Sequence, residues 1–136
     1  MMLLWAIVLY NSEKKIRKID KCVITEVDMT VSELAKHPDF NEVCIADGDR
    51  EILGGYAGDL LSWVMGRASE GDAWVTIMSN VNIVAVSTLA DPACIVLSEG
   101  VDPDEETLKR AQMQGVNILS TKLDTFDACV KIAALI

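Results

Sequence analysis

A three-layer α/β/α fold around a mainly parallel sheet is what this 136-residue sequence predicts, and three observations carry it. From Asp59 onward, short apolar runs alternate with segments of helical spacing in units of roughly twenty residues, the βαβ rhythm of parallel strands joined by right-handed crossovers. The runs AWVTIM (Ala73–Met78) and ACIVL (Ala93–Leu97) do not alternate polar with apolar, as expected of strands covered on both faces. Aromatic residues make up only 5% of the chain while aliphatic ones abound, which favours helices layered on a sheet over a sandwich.

The elements follow in order. Met1–Tyr10 (MMLLWAIVLY) is almost wholly apolar, and a strand is predicted over Trp5–Tyr10. The run is about half the length of a membrane span, with neither the basic start nor the cleavage site of a secretion signal. Asn11-Ser12 reads as a turn and the β-branched Cys22–Val27 as a strand, so residues 1–29 form a strand-rich N-terminal extension. Thr30 or Ser32 caps a short helix, Val31–Lys36, that stops before His37-Pro38 because the residue preceding proline avoids the α region. Glu42–Ala46 is a short strand and Asp47-Gly48-Asp49 a turn. Leu60, Leu61, Val64 and Met65 mark a helix, which Gly66–Gly71 ends. Strand Ala73–Met78, helix Asn82–Leu89 and strand Ala93–Leu97 come next. Asp102 is the expected N-cap of helix Asp104–Gln114, with Pro103 in its first position, Glu105 in the cap and Gly115 closing it. Strand Asn117–Ser120 and helix Thr125–Leu135 complete the chain.

Composition excludes several functions. The net charge is −9 and the sequence pI about 4.4, which argues against nucleic acid or an anionic membrane as partner, since phosphate contacts need clustered Lys and Arg. The basic run Lys14-Lys15-Ile16-Arg17-Lys18 is short and reads as a solvated face. Cys22, Cys44, Cys94 and Cys129 have no metal-binding spacing and apolar neighbours, so they read as free thiols of a cytoplasmic protein. His37 is the single histidine; without a second His or a Cys pair it anchors neither a metal cluster nor a triad, and it reads as a helix-ending surface residue. No phosphate loop, dinucleotide fingerprint or nucleophile elbow is present. No catalytic residue, metal or cofactor is expected.

Candidate ligand-binding residues come from two places. Asp49-Arg50 sits beside Gly54-Gly55, an acid and a fixed cation next to a backbone that allows close approach. The segment is either a tight crossover or a ligand-facing loop. In open α/β sheets ligands sit beyond the carboxyl ends of strands, and Ser79-Asn80-Val81-Asn82 follows such an end, where Asn80 or Asn82 either only caps the next helix or also favours an anion at its N-terminus. Asp59 is a first-turn acid of its helix or a partner of Arg50. The predicted anion site is thus where the Asp49–Asp59 loop meets the helix starting near Asn82, lined by Asp49, Arg50, Gly54, Gly55, Asp59, Ser79, Asn80 and Asn82. Arg50 paired with Asp49, Glu51 or Asp59 as a loop clamp is the competing reading. Leu60, Leu61, Trp63 and Val64 point around more than half of a helical turn, more than one core can hide, so a homodimer is expected, the alternative being that Trp5–Tyr10 folds back over this helix within one chain.

From about Thr30 to its end the chain resembles the DRTGG domain, the module N-terminal to the kinase in HPr kinase/phosphatase relatives, in a stand-alone form without the kinase domain. The resemblance rests on Asp49-Arg50-Glu51 with Gly54-Gly55-Tyr56, Gly58-Asp59-Leu60-Leu61, Val64-Met65, Glu70-Gly71-Asp72, Trp74-Val75-Thr76-Ile77, Asn82–Val86 and Pro103–Leu108. The namesake motif is interrupted, because Glu51-Ile52-Leu53 separates Arg50 from the glycines, and Ser79-Asn80 stands where relatives often have a Thr/Ser-His pair. The resemblance implies an HPr kinase N-terminal-domain-like fold over 30–136 and a non-enzymatic regulatory or ligand-sensing module, with adenine nucleotides as the class of small anionic ligand. The alternative is a structural or docking subunit of a larger metabolic or redox complex, with a protein partner.

Overall fold

The computed structural model describes residues 28–136. The predicted strands Trp5–Tyr10 and Cys22–Val27, and with them nearly all of the N-terminal extension, lie outside the described residues. The elements are α1 (Val31–Ala35), β1 (Asn41–Cys44), β2 (Gly54–Ala57), α2 (Leu61–Arg67), β3 (Asp72–Thr76), α3 (Asn82–Ala90), β4 (Cys94–Leu97), α4 (Glu105–Gln114), β5 (Ile118–Ser120) and α5 (Thr125–Leu135). They form one five-stranded sheet in the order β1-β5-β4-β3-β2. β2 to β5 run parallel, each beside its successor, and β1 lies antiparallel on the outer side of β5.

Side chains alternate across the sheet as the pleat dictates. Trp74, Ile95, Leu97 and Ile118 face a layer made by α2, α3 and α4 through Val64, Ile83, Val84, Val86 and Ala111. Ala73, Val75, Cys94, Val96 and Leu119 face α1 and α5 through Val31, Leu34, Ala128 and Ile132. Three layers result, as predicted. β3 and β4 are buried along their whole length, which explains their lack of polar–apolar alternation.

Helix ends follow local chemistry. Thr30 Oγ1 accepts the Glu33 N–H at 3.1 Å and starts α1. Asp124 Oδ1 accepts the Asp127 N–H at 2.7 Å and starts α5. The expectation that Asp102 caps the next helix, with Pro103 first in it, is corrected. Asp104 is the cap, and its Oδ1 accepts both the N–H (2.8 Å) and the hydroxyl (2.6 Å) of Thr107. An acceptor three residues ahead of a threonine binds twice, so the later aspartate wins. These bonds hold the Asp104 carboxyl below its ordinary pKa.

The Gly54-Gly55 segment is also corrected. It is a strand, not a loop, pairing Gly54 with Asp72, Gly55 with Ala73, and Tyr56 with Trp74. The ladder is extended by Leu53 N–H to the Gly71 carbonyl (2.9 Å) and Gly58 N–H to the Val75 carbonyl (3.1 Å). Glycine supplies ladder groups as well as any residue; its weak strand propensity is overruled by the ready edge of β3.

One buried side chain ties the sheet to the chain's early turn. Asn117, 4% exposed, opens β5. Its Oδ1 accepts the N–H groups of Ala46 (2.8 Å) and Asp47 (2.9 Å), and its Nδ2 donates to the carbonyls of Asp47 (2.8 Å) and Ala93 (2.9 Å). All four of its hydrogen-bonding positions are used.

Candidate functional site

The eight predicted site residues fall at two opposite ends of the parallel strands. Arg50 lies at the amino end. Its guanidinium donates from Nη1 to Asp91 Oδ1 and from Nη2 to the Asp91 carbonyl, both at 2.7 Å. Asp91 closes α3 in the left-handed conformation, with φ 56° and ψ 47°. A cation here meets the negative end of the helix dipole together with the Asp91 carbonyl, which also accepts the Gly71 N–H at 3.0 Å. Arg50 thus pairs with Asp91, and not with Asp49, Glu51 or Asp59 as the competing reading expected. Asp49 is exposed in the preceding turn.

Asp59, Ser79, Asn80 and Asn82 lie at the carboxyl end. Asp59 neither caps α2 nor pairs with Arg50. Its Oδ1 accepts the Thr76 hydroxyl at 2.7 Å and the Ile77 N–H at 2.9 Å, joining the exit of β2 to that of β3. The Ser79 carbonyl accepts the Thr107 hydroxyl at 3.0 Å. Asn80 Oδ1 accepts the Asn82 N–H at 2.9 Å, so its carboxamide does local turn work ahead of α3. Gly54 and Gly55 sit in β2, where a Cβ on Gly55 would meet the Ala73 carbonyl at an ordinary 3.5 Å, so close backbone approach does not require glycine there. The expected single site joining Arg50 to Asn82 through the glycine loop is not formed. The nine residues of α3, about 13 Å long, separate the two.

A furrow between α3 and α4 nonetheless runs between these ends. Two adjoining cavities of about 280 Å³ each share Thr88 and Gln114. The cavity toward the amino end holds Arg50 together with Asp47 and Asp91, so its cation is already neutralised. The other is walled by Val81 and Ala85 over the buried Val84 and edged by Asn82, Thr88, Arg110 and Gln114, and no carboxylate among the described residues lines it. Arg110 has no ion-pair partner among the described residues. On a chain of net charge −9 this is a locally positive concavity with amide donors at either side and apolar walls, suited to a small anion carrying an apolar portion. Sequence reading missed Arg110, because a basic residue on a polar helix carries no sign of the groove it borders.

Groups for bond-making chemistry are poorly placed. Cys94 is buried, and desolvation pushes its thiol up to about 12. Burial likewise raises Cys44, helped by the nearby Glu42 charge, and Cys129. His37 Nδ1 accepts the Asp39 N–H at 3.2 Å, and its ring meets Phe40 edge-on. Among the described residues no three His, Cys, Asp or Glu side chains come together as metal ligands, and no helix is long and apolar enough to cross a membrane.

Comparison with known proteins agrees with this architecture. No curated protein matches the chain. The solved structure of the CBS and DRTGG domains of the regulatory region of Clostridium perfringens pyrophosphatase, complexed with its activator diadenosine tetraphosphate, matches with a TM-score of 0.53 at 16% identity. The match covers 86% of this chain and 53% of that one, so the present chain spans about half of its length. At that identity it shows a shared fold. The family model of the DRTGG domain matches residues 59–135, beginning after the Asp49–Gly55 stretch and taking in α2 through α5. With more than half of the sequence matched and the fold shared, the chain belongs to the DRTGG domain family.

Proposed function

We propose that this protein is a non-enzymatic regulatory module that senses a small anionic ligand, an adenine nucleotide being the leading class, in the acid-free half of the α3–α4 furrow. The observation that carries it is Arg110, a cation with no ion-pair partner among the described residues, beside Asn82 and Gln114 in an otherwise acidic chain. The guanidinium takes phosphate oxygens, the carboxamides orient the ligand, and Val81 and Ala85 offer a surface to its base. The diadenosine tetraphosphate in the clostridial regulatory region supports the nucleotide class. The buried, high-pKa Cys94 and the single, turn-bound His37 favour sensing over catalysis.

Thermal shift and calorimetry with AMP, ATP, diadenosine tetraphosphate and inorganic phosphate test this. A binder at 100 times its dissociation constant stabilises by about 2.7 kcal/mol. Arg110→Gln should remove the shift, whereas Lys109→Gln, one residue away and paired with Glu105, should keep it. Absence of any shift at millimolar nucleotide, or an Arg110→Gln protein that binds undiminished, overturns the proposal.

A further inference from the structure

A different face of the molecule carries a second conclusion, independent of the nucleotide site. Leu60 is 59% exposed, Trp63 52%, Met65 45% and Ile77 43%. Leu60 precedes α2, Trp63 and Met65 flank its outward side, and Ile77 follows β3. The Ile77 N–H binds Asp59, the Trp63 N–H binds the Leu60 carbonyl at 2.9 Å, and the Arg67 guanidinium lies 3.8 Å above the Trp63 ring. At 100° per residue, Val64 points inward and is fully buried, while Ser62 and Gly66 point outward between Trp63 and Met65. Nothing among the described residues explains Gly66. A Cβ there would meet nothing within 4 Å, its φ is not positive, and a glycine inside a helix costs about 1 kcal/mol relative to alanine. The missing side chain leaves room for another backbone to come close.

We infer that this face is the twofold contact between two copies of the chain, with α2 crossing the partner's α2 antiparallel at Ser62 and Gly66. Charge selects this occupant. The exposed carboxylate Asp59 precedes α2 and the exposed Arg67 ends it. An antiparallel pair therefore sets each Arg67 toward the partner's Asp59 and opposes the two helix dipoles, whereas a parallel pair would align like charges. Each Trp63, held by its own Arg67, packs beside the facing glycine, the arrangement of an aromatic anchor against a small residue. The patch is modest beside the roughly 800 Å² per partner of a standard interface, so dissociation on the order of micromolar is expected.

Sedimentation equilibrium or light scattering on the full chain, from micromolar to hundreds of micromolar at moderate salt, decides the matter. The mass should rise with concentration to that of a dimer. Trp63→Glu should raise the dissociation constant at least about tenfold. Gly66→Gln should do the same while leaving the melting temperature of the dilute monomer unchanged or higher, which separates lost contact from lost folding. Lys109→Ala should change neither. A monomer at every concentration, or a dimer indifferent to both Trp63→Glu and Gly66→Gln, overturns the inference.

Discussion

Replacing Asn117 by alanine should be among the most damaging single changes in the protein. The substitution removes four hydrogen bonds of 2.8–2.9 Å made by one side chain that is 4% exposed. The losses differ by site. The Ala93 residue is 2% exposed, so water cannot readily replace the donor its carbonyl loses, and a desolvated acceptor costs about 1–3 kcal/mol. Ala46 and Asp47 are exposed, so water takes over at their three groups and each bond counts nearer 0.5 kcal/mol. The total is about 3 kcal/mol, or a fall in Tm of roughly 10 °C for a chain of this size. Asn117→Asp at neutral pH should be at least as harmful, because a carboxylate would face the carbonyls of Asp47 and Ala93 where two N–H groups now point. Urea denaturation followed by tryptophan fluorescence reads the change as a lower midpoint at constant slope. A loss below about 1 kcal/mol for both variants would refute the reasoning, since it would mean that the network is replaceable by water.

Two further outcomes follow from the backbone and the thiols. Gly71→Ala should lose about 1–2 kcal/mol in the same assay, because φ is +83° and the added Cβ would lie 2.7 Å from Leu53 Cδ1. Cys94 should resist thiol reagents in the native protein at pH 8 and react only on unfolding, as mass spectrometry of the labelled peptide would show. Because burial raises that thiol from 9.0 to about 12, its contribution is fully present below pH 9. It is lost as pH rises toward 12, since the unfolded chain releases the proton first, and denaturation midpoints across that window should fall.

The layers were legible because burial writes itself into composition. β3 and β4, covered on both faces, show no polar–apolar alternation, and the spacers between them had helical period. β2 escaped because its sequence, Gly54-Gly55-Tyr56-Ala57, has little strand propensity and its conformation is imposed by β3. The candidate site was less legible for a related reason. Asn80 and Asp59 advertise polarity at a strand exit, yet Asn80 Oδ1 is taken by the nearby Asn82 N–H and Asp59 Oδ1 by Thr76 and Ile77 on the neighbouring strand's exit. Arg50 finds its partner 41 positions away at Asp91, a pairing that no local pattern encodes. Arg110 gains its significance only from α3 lying alongside α4.

The edge position of β1 carries a consequence for how the chain assembles over time. β2, β3 and β4 each pair with the strand made next, so that part of the sheet can zip forward as it leaves the ribosome. β1 is synthesised before all of them and must wait for the last. Asn41 pairs with Ser120 and Glu42 with Leu119, and the Thr121 hydroxyl reaches back 82 positions to the Asp39 carbonyl at 2.6 Å. Closing so long a loop carries an entropic penalty before any contact repays it. The first strand of the described fold is thus the last to dock, and until β5 emerges its backbone groups are an open edge available to other chains.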